Sequence, residues 1–117
     1  DRKWSELIDQ YMPGIDFSGL QEVKETGWQR KLHIHRAPFY YIEYGLSALG
    51  AVQIWEKSQL DLPGAVTSYR KALALGGTAN LPELYETAGA QFAFDVSNVT
   101  PAVRLLESTL AELEMKL

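Results

Sequence analysis

PFYYIEYGLSALGAVQIWEK, residues 38–57, is a dense apolar stretch that decides the fold class. Apart from tyrosine hydroxyls, only Glu43, Ser47 and Gln53 interrupt its apolar residues up to residue 55. Pro38 suits the first turn of a helix, because the backbone N–H that proline lacks has no intrahelical partner there. The stretch therefore predicts a long helix over residues 38–57 that is buried on most sides.

Shorter helices are predicted on both sides of this stretch. Trp4, Leu7, Ile8 and Tyr11 have the spacing of one helix face, and residues 12–14, Met-Pro-Gly, must end that helix. A short helix is predicted over residues 20–23, stopping near residue 27, and residues 28–37 are predicted to be irregular. Downstream, caps and breakers predict three more helices: one from Asp61 to the glycines at 76–77, one from Pro82 to Gly89, and one from the pair Thr100-Pro101 to the C-terminus. No segment alternates as a strand does, so we expect an all-α fold of five to six helices.

Length and composition restrict the class of protein. At 117 residues the chain is one domain or a piece of a larger one, and we expect residues 1–117 to form a single helical domain. The net charge of -4 provides no basic surface, which argues against a nucleic-acid partner. No apolar run approaches the roughly 20 residues that span a bilayer, so no membrane association is expected.

Two further features concern the origin of the chain. Cysteine is absent, which excludes disulfides and thiolate chemistry and fits a cytoplasmic location. The first residue is Asp1 rather than Met, so we expect the chain to have been cut from a longer protein.

The candidate functional residues are two histidines and three tyrosines at the start of the long helix. His33 and His35 would point to the same side of an extended segment, but zinc requires three or four ligands, so no metal site is assigned to this chain. Tyr40 and Tyr44, four residues apart, would share a helix face, whereas Tyr41 would be rotated by about a hundred degrees. An imidazole and two phenols in one cavity would be donors suited to an oxyanion. The alternative is that these aromatic side chains only pack a core.

Two long segments resemble one enzyme family. GWQRKLHIHRAPFYYIEYGLSALGAVQIW (residues 27–55) resembles the segment that follows the zinc motif in the oligoendopeptidase F and thimet oligopeptidase family of zinc metallopeptidases. SYRKALALGGTANLPELYETAGAQFAF (residues 68–94) is similar to the C-terminal run of the same family. The zinc motif H-E-x-x-H and its downstream glutamate ligand are absent from the 117 residues. The chain thus resembles the C-terminal part of a larger helical zincin-type peptidase, without its metal ligands.

The resemblance implies roles for individual residues. His33 matches the family histidine and Tyr40 a family tyrosine, which implies hydrogen bonds to the tetrahedral oxyanion of a peptide substrate. Tyr44 and, as a weaker match, Tyr41 are implied to bind the substrate. His35 stands where the family usually has an aromatic residue, and no role is assigned to it. Zinc is implied for the intact enzyme and none for this chain.

Two functions follow from the sequence. The first is a zinc-dependent oligopeptidase that hydrolyses short peptides, of which this chain is an inactive part that associates with the missing N-terminal part. The alternative is a stand-alone helical interaction module without catalysis. For the first function, the helix from Pro38 would be covered by the missing part, so an exposed apolar face or self-association of this chain is expected.

Overall fold

A computed structural model describes all 117 residues, and all of its regular secondary structure is helical. The α-helices are α1 (Arg2–Tyr11), α2 (Gln21–Thr26), α3 (Leu32–Arg36), α4 (Ile42–Leu60), α5 (Leu62–Leu75), α6 (Leu81–Ala88) and α7 (Val96–Glu114), and short 3-10 turns span Gly27–Arg30 and Gly76–Thr78. The all-α class is confirmed. The count is seven rather than five to six, because α3 forms within residues 28–37, which were expected to be irregular.

The chain divides into two compact units, Asp1–Ile42 and Glu43–Leu117. In the first unit α1 packs on α2, and the Trp4 indole lies so close to Gly27 that a Cβ there would be 3.2 Å from its Nε1. The Trp28 indole N–H donates to the Asp1 carboxylate at 2.9 Å, and Lys24 forms an ion pair with Asp9. These side-chain contacts connect the short helices of the first unit.

The second unit is built around α5 and α6, which pack on each other through small residues. Its buried apolar residues are all alanines: Ala65, Ala72, Ala88, Ala90 and Ala102. Small side chains allow two helices to approach closely, but each buries little apolar area. Close backbone packing, rather than interlocking large side chains, therefore characterises this core.

Asp61 at the start of α5 and Gly89 at the end of α6 are confirmed as predicted, whereas the N-cap of α6, Asn80, was not predicted. The Asp61 carboxylate accepts the N–H of Gly64 at 3.0 Å, and the Asn80 side chain accepts the N–H of Glu83 at 3.0 Å. Gly89 ends α6 with φ +83°, a left-handed conformation that glycine adopts without steric cost. Side-chain acceptors satisfy backbone donors that the first turn of a helix leaves without partners.

The predicted start of the long helix is wrong. Residues 38–41 form a turn, and α4 begins at Ile42. Phe39 has φ +69°, which is incompatible with a right-handed helix, and the N–H of Tyr40 donates to the carbonyl of Ala37 at 3.1 Å to close the turn. The expected burial on most sides is also wrong, since Gly50 is the only buried residue of α4.

The predicted start of the last helix is wrong as well. α7 begins five residues before Pro101, at Val96, and Asp95 is its cap. The Asp95 carboxylate accepts the backbone N–H groups of Ser97 at 3.0 Å and Asn98 at 3.3 Å. This cap fixes the helix start, and Pro101 is accommodated inside the helix.

None of the seven helices combines the length and the apolar character needed to cross a membrane.

Candidate functional site

Three of the candidate residues form one aromatic cluster in the first unit. The His33 imidazole stacks on the Tyr40 ring with a centroid separation of 5.5 Å and an interplanar angle of 4°. It also meets the Tyr41 ring edge-to-face, at 5.0 Å and 82°. Both distances lie in the range of favourable aromatic pairs. We call His33, Tyr40 and Tyr41 the aromatic cluster.

The turn after α3 produces this cluster. α3 places His33 one helical turn before Ala37, whose N–H donates to the His33 carbonyl at 3.1 Å. The left-handed Phe39 then redirects the chain so that Tyr40 and Tyr41 follow beside the imidazole. A bulky residue with positive φ is a rare conformation that costs of the order of 1 kcal/mol or more. The backbone strain at Phe39 thus coincides with the candidate site, while the Phe39 side chain itself is 95% exposed.

Tyr40 and Tyr44 do not lie on one helix face, so this prediction is wrong. Tyr40 and Tyr41 lie in the turn rather than on a helix, so Tyr40 does not share a helix face with Tyr44. Tyr41, expected to point elsewhere, contacts the same imidazole as Tyr40. Tyr44 lies in α4 and belongs to the second unit, where its carbonyl accepts the Ser47 hydroxyl at 3.1 Å and its side chain is half exposed.

His35 is separate from the aromatic cluster. Its ring lies 5.8 Å from the Trp28 ring at an angle of 37°, so the two histidines contact different aromatic partners. In an extended segment His33 and His35 would point to the same side, as two metal ligands would. Both histidines lie in the helix α3 instead. Nowhere in the chain do three or more histidine, cysteine, aspartate or glutamate side chains come together as metal ligands.

The surroundings of the cluster in the sequence are basic. Arg30, Lys31 and Arg36 flank the two histidines, and no acidic residue lies between Glu25 and Glu43. Local positive charge of this kind attracts anionic groups and stabilises negative charge that develops nearby. In a chain of net charge -4, this segment is a local exception.

The second unit contains an apolar groove that the sequence did not identify as a site. Its volume is about 360 Å³, and Gly50, Ile54, Tyr69, Leu73 and Tyr85 are among its lining residues. The Tyr85 hydroxyl donates to the carbonyl of Leu46 at 2.8 Å, and burial raises the pKa of this hydroxyl, which keeps it protonated as a donor. Gly50 was the signal of this groove in the sequence. A glycine lowers the stability of a helix interior, so its presence there indicates a close neighbour, which in this structure is the Tyr85 ring.

The side chain of Gln53, in the middle of α4, hydrogen-bonds to the backbone of Gln91 in the segment after α6. The Gln53 side chain donates its Nε2 to the Gln91 carbonyl at 3.1 Å and accepts the Gln91 N–H at 2.8 Å. Both backbone polar groups of Gln91 are thereby satisfied by one amide. This contact holds Gln91 beside α4, and nothing in the sequence pattern indicated it.

Comparison of the chain with protein-family models, with curated proteins and with solved structures gives no match.

Proposed function

We propose that this chain is the C-terminal part of a cytoplasmic, zinc-dependent oligopeptidase that hydrolyses short peptides. The observation that carries the proposal is the packing of His33 against Tyr40 and Tyr41, the residues that the resemblance to the oligoendopeptidase F family selects. His33 and Tyr40 donate hydrogen bonds to the oxyanion of the tetrahedral intermediate. Tyr41 and Tyr44 bind the peptide substrate.

The chemistry of the cluster supports this assignment. The His33 imidazole and the Tyr40 phenol are two hydrogen-bond donors on parallel rings whose centroids lie 5.5 Å apart. Donors that are already positioned stabilise a developing oxyanion without reorganising during the reaction. The flanking Arg30, Lys31 and Arg36 add a field of the favourable sign.

Zinc does not fit the residues of this chain. His33 and His35 contact different ring systems, and no third ligand accompanies them. We therefore assign the metal ligands to the N-terminal part of the intact enzyme, with which this chain associates. Zinc bound there supplies Lewis-acid activation of the carbonyl and of water.

The alternative, a helical interaction module without catalysis, also has an observation in its favour. Large apolar side chains are exposed on both units; Phe39 of the first unit is 95% exposed and Leu60 of the second is 88% exposed. Exposed apolar surface is typical of sites that another protein covers. The oligopeptidase proposal accounts for the same surface, because the rest of the enzyme would cover it.

The test is steady-state kinetics of the intact enzyme on a quenched peptide. His33→Ala and Tyr40→Phe should each lower kcat by about a hundred- to a thousand-fold with little change in KM, since a lost oxyanion donor acts mainly in the transition state. Tyr44→Phe should instead raise KM. His35→Ala and Tyr11→Phe are matched controls outside the cluster and should leave both constants unchanged.

Zinc content and melting temperature are measured for each variant, so that a folding defect is not read as lost chemistry. A folded, metallated His33→Ala enzyme with unchanged kcat would contradict the assignment. A reading frame that encodes no H-E-x-x-H motif would contradict the proposed enzyme class and favour the interaction module.

A further inference from the structure

The charges of the first unit are segregated along the chain. Residues 1–25 contain six acidic and three basic side chains, whereas residues 26–42 contain three basic side chains, two histidines and no acidic side chain. The three basic residues are Arg30, Lys31 and Arg36, which we call the basic segment. The positive charge of the unit is therefore concentrated on the stretch of chain that also forms the aromatic cluster.

No carboxylate of the chain neutralises the basic segment. All three ion pairs of the structure join residues of α1 and α2. Arg30 and Arg36 are exposed to solvent, and Lys31 is half buried. A cation without an ion-pair partner in its own chain can bind an external anion, and an arginine can donate two parallel hydrogen bonds to one carboxylate.

The helix α3 places Arg36 beside His33. The two residues are three positions apart in this helix, a spacing that puts their Cβ atoms about 5–6 Å apart on one face. Each residue of an extended peptide advances by about 3.3–3.6 Å. A peptide whose scissile carbonyl meets His33 would therefore bring a side chain one or two residues away within reach of Arg36.

The surroundings of the basic segment favour a peptide over a polyanion. A nucleic-acid interface depends on many phosphate contacts, whereas this segment has three cations in a chain of net charge -4. Apolar side chains stand between the charged ones: Leu32 is 57% exposed and Ile34 is 46% exposed. A peptide of mixed acidic and apolar residues offers a partner to both kinds of side chain.

We propose that the oligopeptidase selects acidic peptides, and that Arg36 binds a side-chain carboxylate within about two residues of the scissile bond. This inference rests on the peptidase function proposed above and adds a substrate class to it. Arg30 and Lys31 contribute positive potential that attracts the same peptide. The free C-terminus of a peptide is a second source of a carboxylate, and the test separates the two sources.

The test compares pairs of quenched peptides that differ only in one glutamate or glutamine, placed at each of the two residues on either side of the scissile bond. All have amidated C-termini. At the position that Arg36 contacts, the intact wild-type enzyme should cleave the glutamate peptide with about a tenfold higher kcat/KM, the usual effect of one charge-assisted hydrogen bond. Arg36→Gln should bring the ratio of the two values close to one, and Arg36→Lys should retain part of it. Arg70→Gln, which replaces an exposed arginine of α5, is the control and should keep the wild-type ratio.

Both peptides are measured with the same preparation of each variant, so the fraction of folded enzyme cancels in the ratio. Arg36→Glu tests the inference in the opposite sense, because this variant should prefer a lysine peptide to the glutamate peptide. Equal cleavage of the glutamate and glutamine peptides by the wild type at all four positions would overturn this inference and leave the peptidase function standing. Failure to cleave any peptide would overturn both.

Two further measurements address the other sources of negative charge. A preference that follows a free rather than an amidated C-terminus, and not the glutamate, would overturn the assignment to a side-chain carboxylate. Sedimentation with vesicles of phosphatidylserine and phosphatidylcholine tests an anionic lipid surface. Vesicle binding that Arg36→Gln abolishes, in an enzyme without selectivity between the peptides, would overturn the proposal.

Discussion

The Tyr85 hydroxyl of α6 donates a 2.8 Å hydrogen bond to the Leu46 carbonyl of α4. The two residues are 39 positions apart in the sequence, and the bond joins their helices. The ring of Tyr85 also meets Phe92 edge-to-face at 5.1 Å, and Phe92 meets Phe94 in the same manner at 4.8 Å. One side chain thus connects α4, α6 and the segment after α6.

Removal of the Tyr85 hydroxyl should destabilise the second unit by about 1 kcal/mol, the usual net contribution of one hydrogen bond. The Tyr85→Phe variant keeps the ring and its contact with Phe92, so the loss reports the bond to Leu46 alone. Urea unfolding followed by circular dichroism measures it. Tyr69→Phe removes the hydroxyl of a half-exposed tyrosine at the same groove and serves as the control. An equal loss of stability in both variants would contradict the assignment of the loss to the bond with Leu46.

Two glycines of α4 should respond in opposite directions to replacement by alanine. At Gly50 a Cβ would lie 2.8 Å from the Tyr85 ring, so Gly50→Ala should cost about 1–3 kcal/mol through overpacking. At Gly45 no atom lies within 4 Å of the added Cβ, so Gly45→Ala should stabilise the helix by about 0.5–1 kcal/mol. The two melting temperatures should lie on opposite sides of the wild-type value. A stabilising Gly50→Ala would show that α4 and α6 are not in close contact.

Acid should weaken the start of α7. Hydrogen bonds from Ser97 and Asn98 lower the pKa of Asp95 from 3.8 to about 2. A carboxyl whose pKa is lower in the folded state stabilises the fold above pH 3.8, and this contribution is lost as the pH falls from there towards 2. Asp95→Asn keeps a capping oxygen but cannot titrate. The wild type should therefore lose more stability than Asp95→Asn between pH 5 and pH 2, measured by urea unfolding; parallel losses would contradict the role of Asp95.

The isolated chain should not bind zinc stoichiometrically. Two histidines with rings on different aromatic partners provide too few ligands for a tight site. Titration with zinc in a calorimeter should give only weak heats, and His33→Ala and His35→Ala should not change them. A tight one-to-one isotherm that His35→Ala abolishes would mean that the histidine pair is a metal site.

The sequence predicted the elements that local chemistry specifies. α1, with its apolar stripe, α5, with Asp61 at its start, and α6, with Gly89 at its end, lie where caps, breakers and periodicity indicated. The two helix starts that were predicted wrongly both lie at prolines. A proline is permitted in the first turn of a helix but does not require one, and Pro38 lies in a turn while Pro101 lies inside α7.

The candidate site was predicted only in part, because residues 38–41 were expected in a helix and form a turn. His33 and Tyr40 do come together, but by a reversal at Phe39 that depends on a positive φ that no residue type there indicates. Tyr41 joined the cluster because the turn, and not a helix, sets its direction. Contacts between residues distant in sequence, such as Gln53 with Gln91, leave no periodic signal and appear only in the folded chain.

The alanine core also has a calorimetric consequence. The heat capacity increment of unfolding rises with the apolar area that becomes exposed, and an ordinary domain of this length gives about 1.4–1.8 kcal/mol/K. In this chain the buried apolar residues are five alanines, while large side chains such as Leu60 and Val96 already contact solvent in the folded state. Unfolding therefore exposes less additional apolar area than it would in a domain with a core of large side chains. The stability curve of the chain should be unusually flat with temperature, and its heat absorption peak should be low and broad.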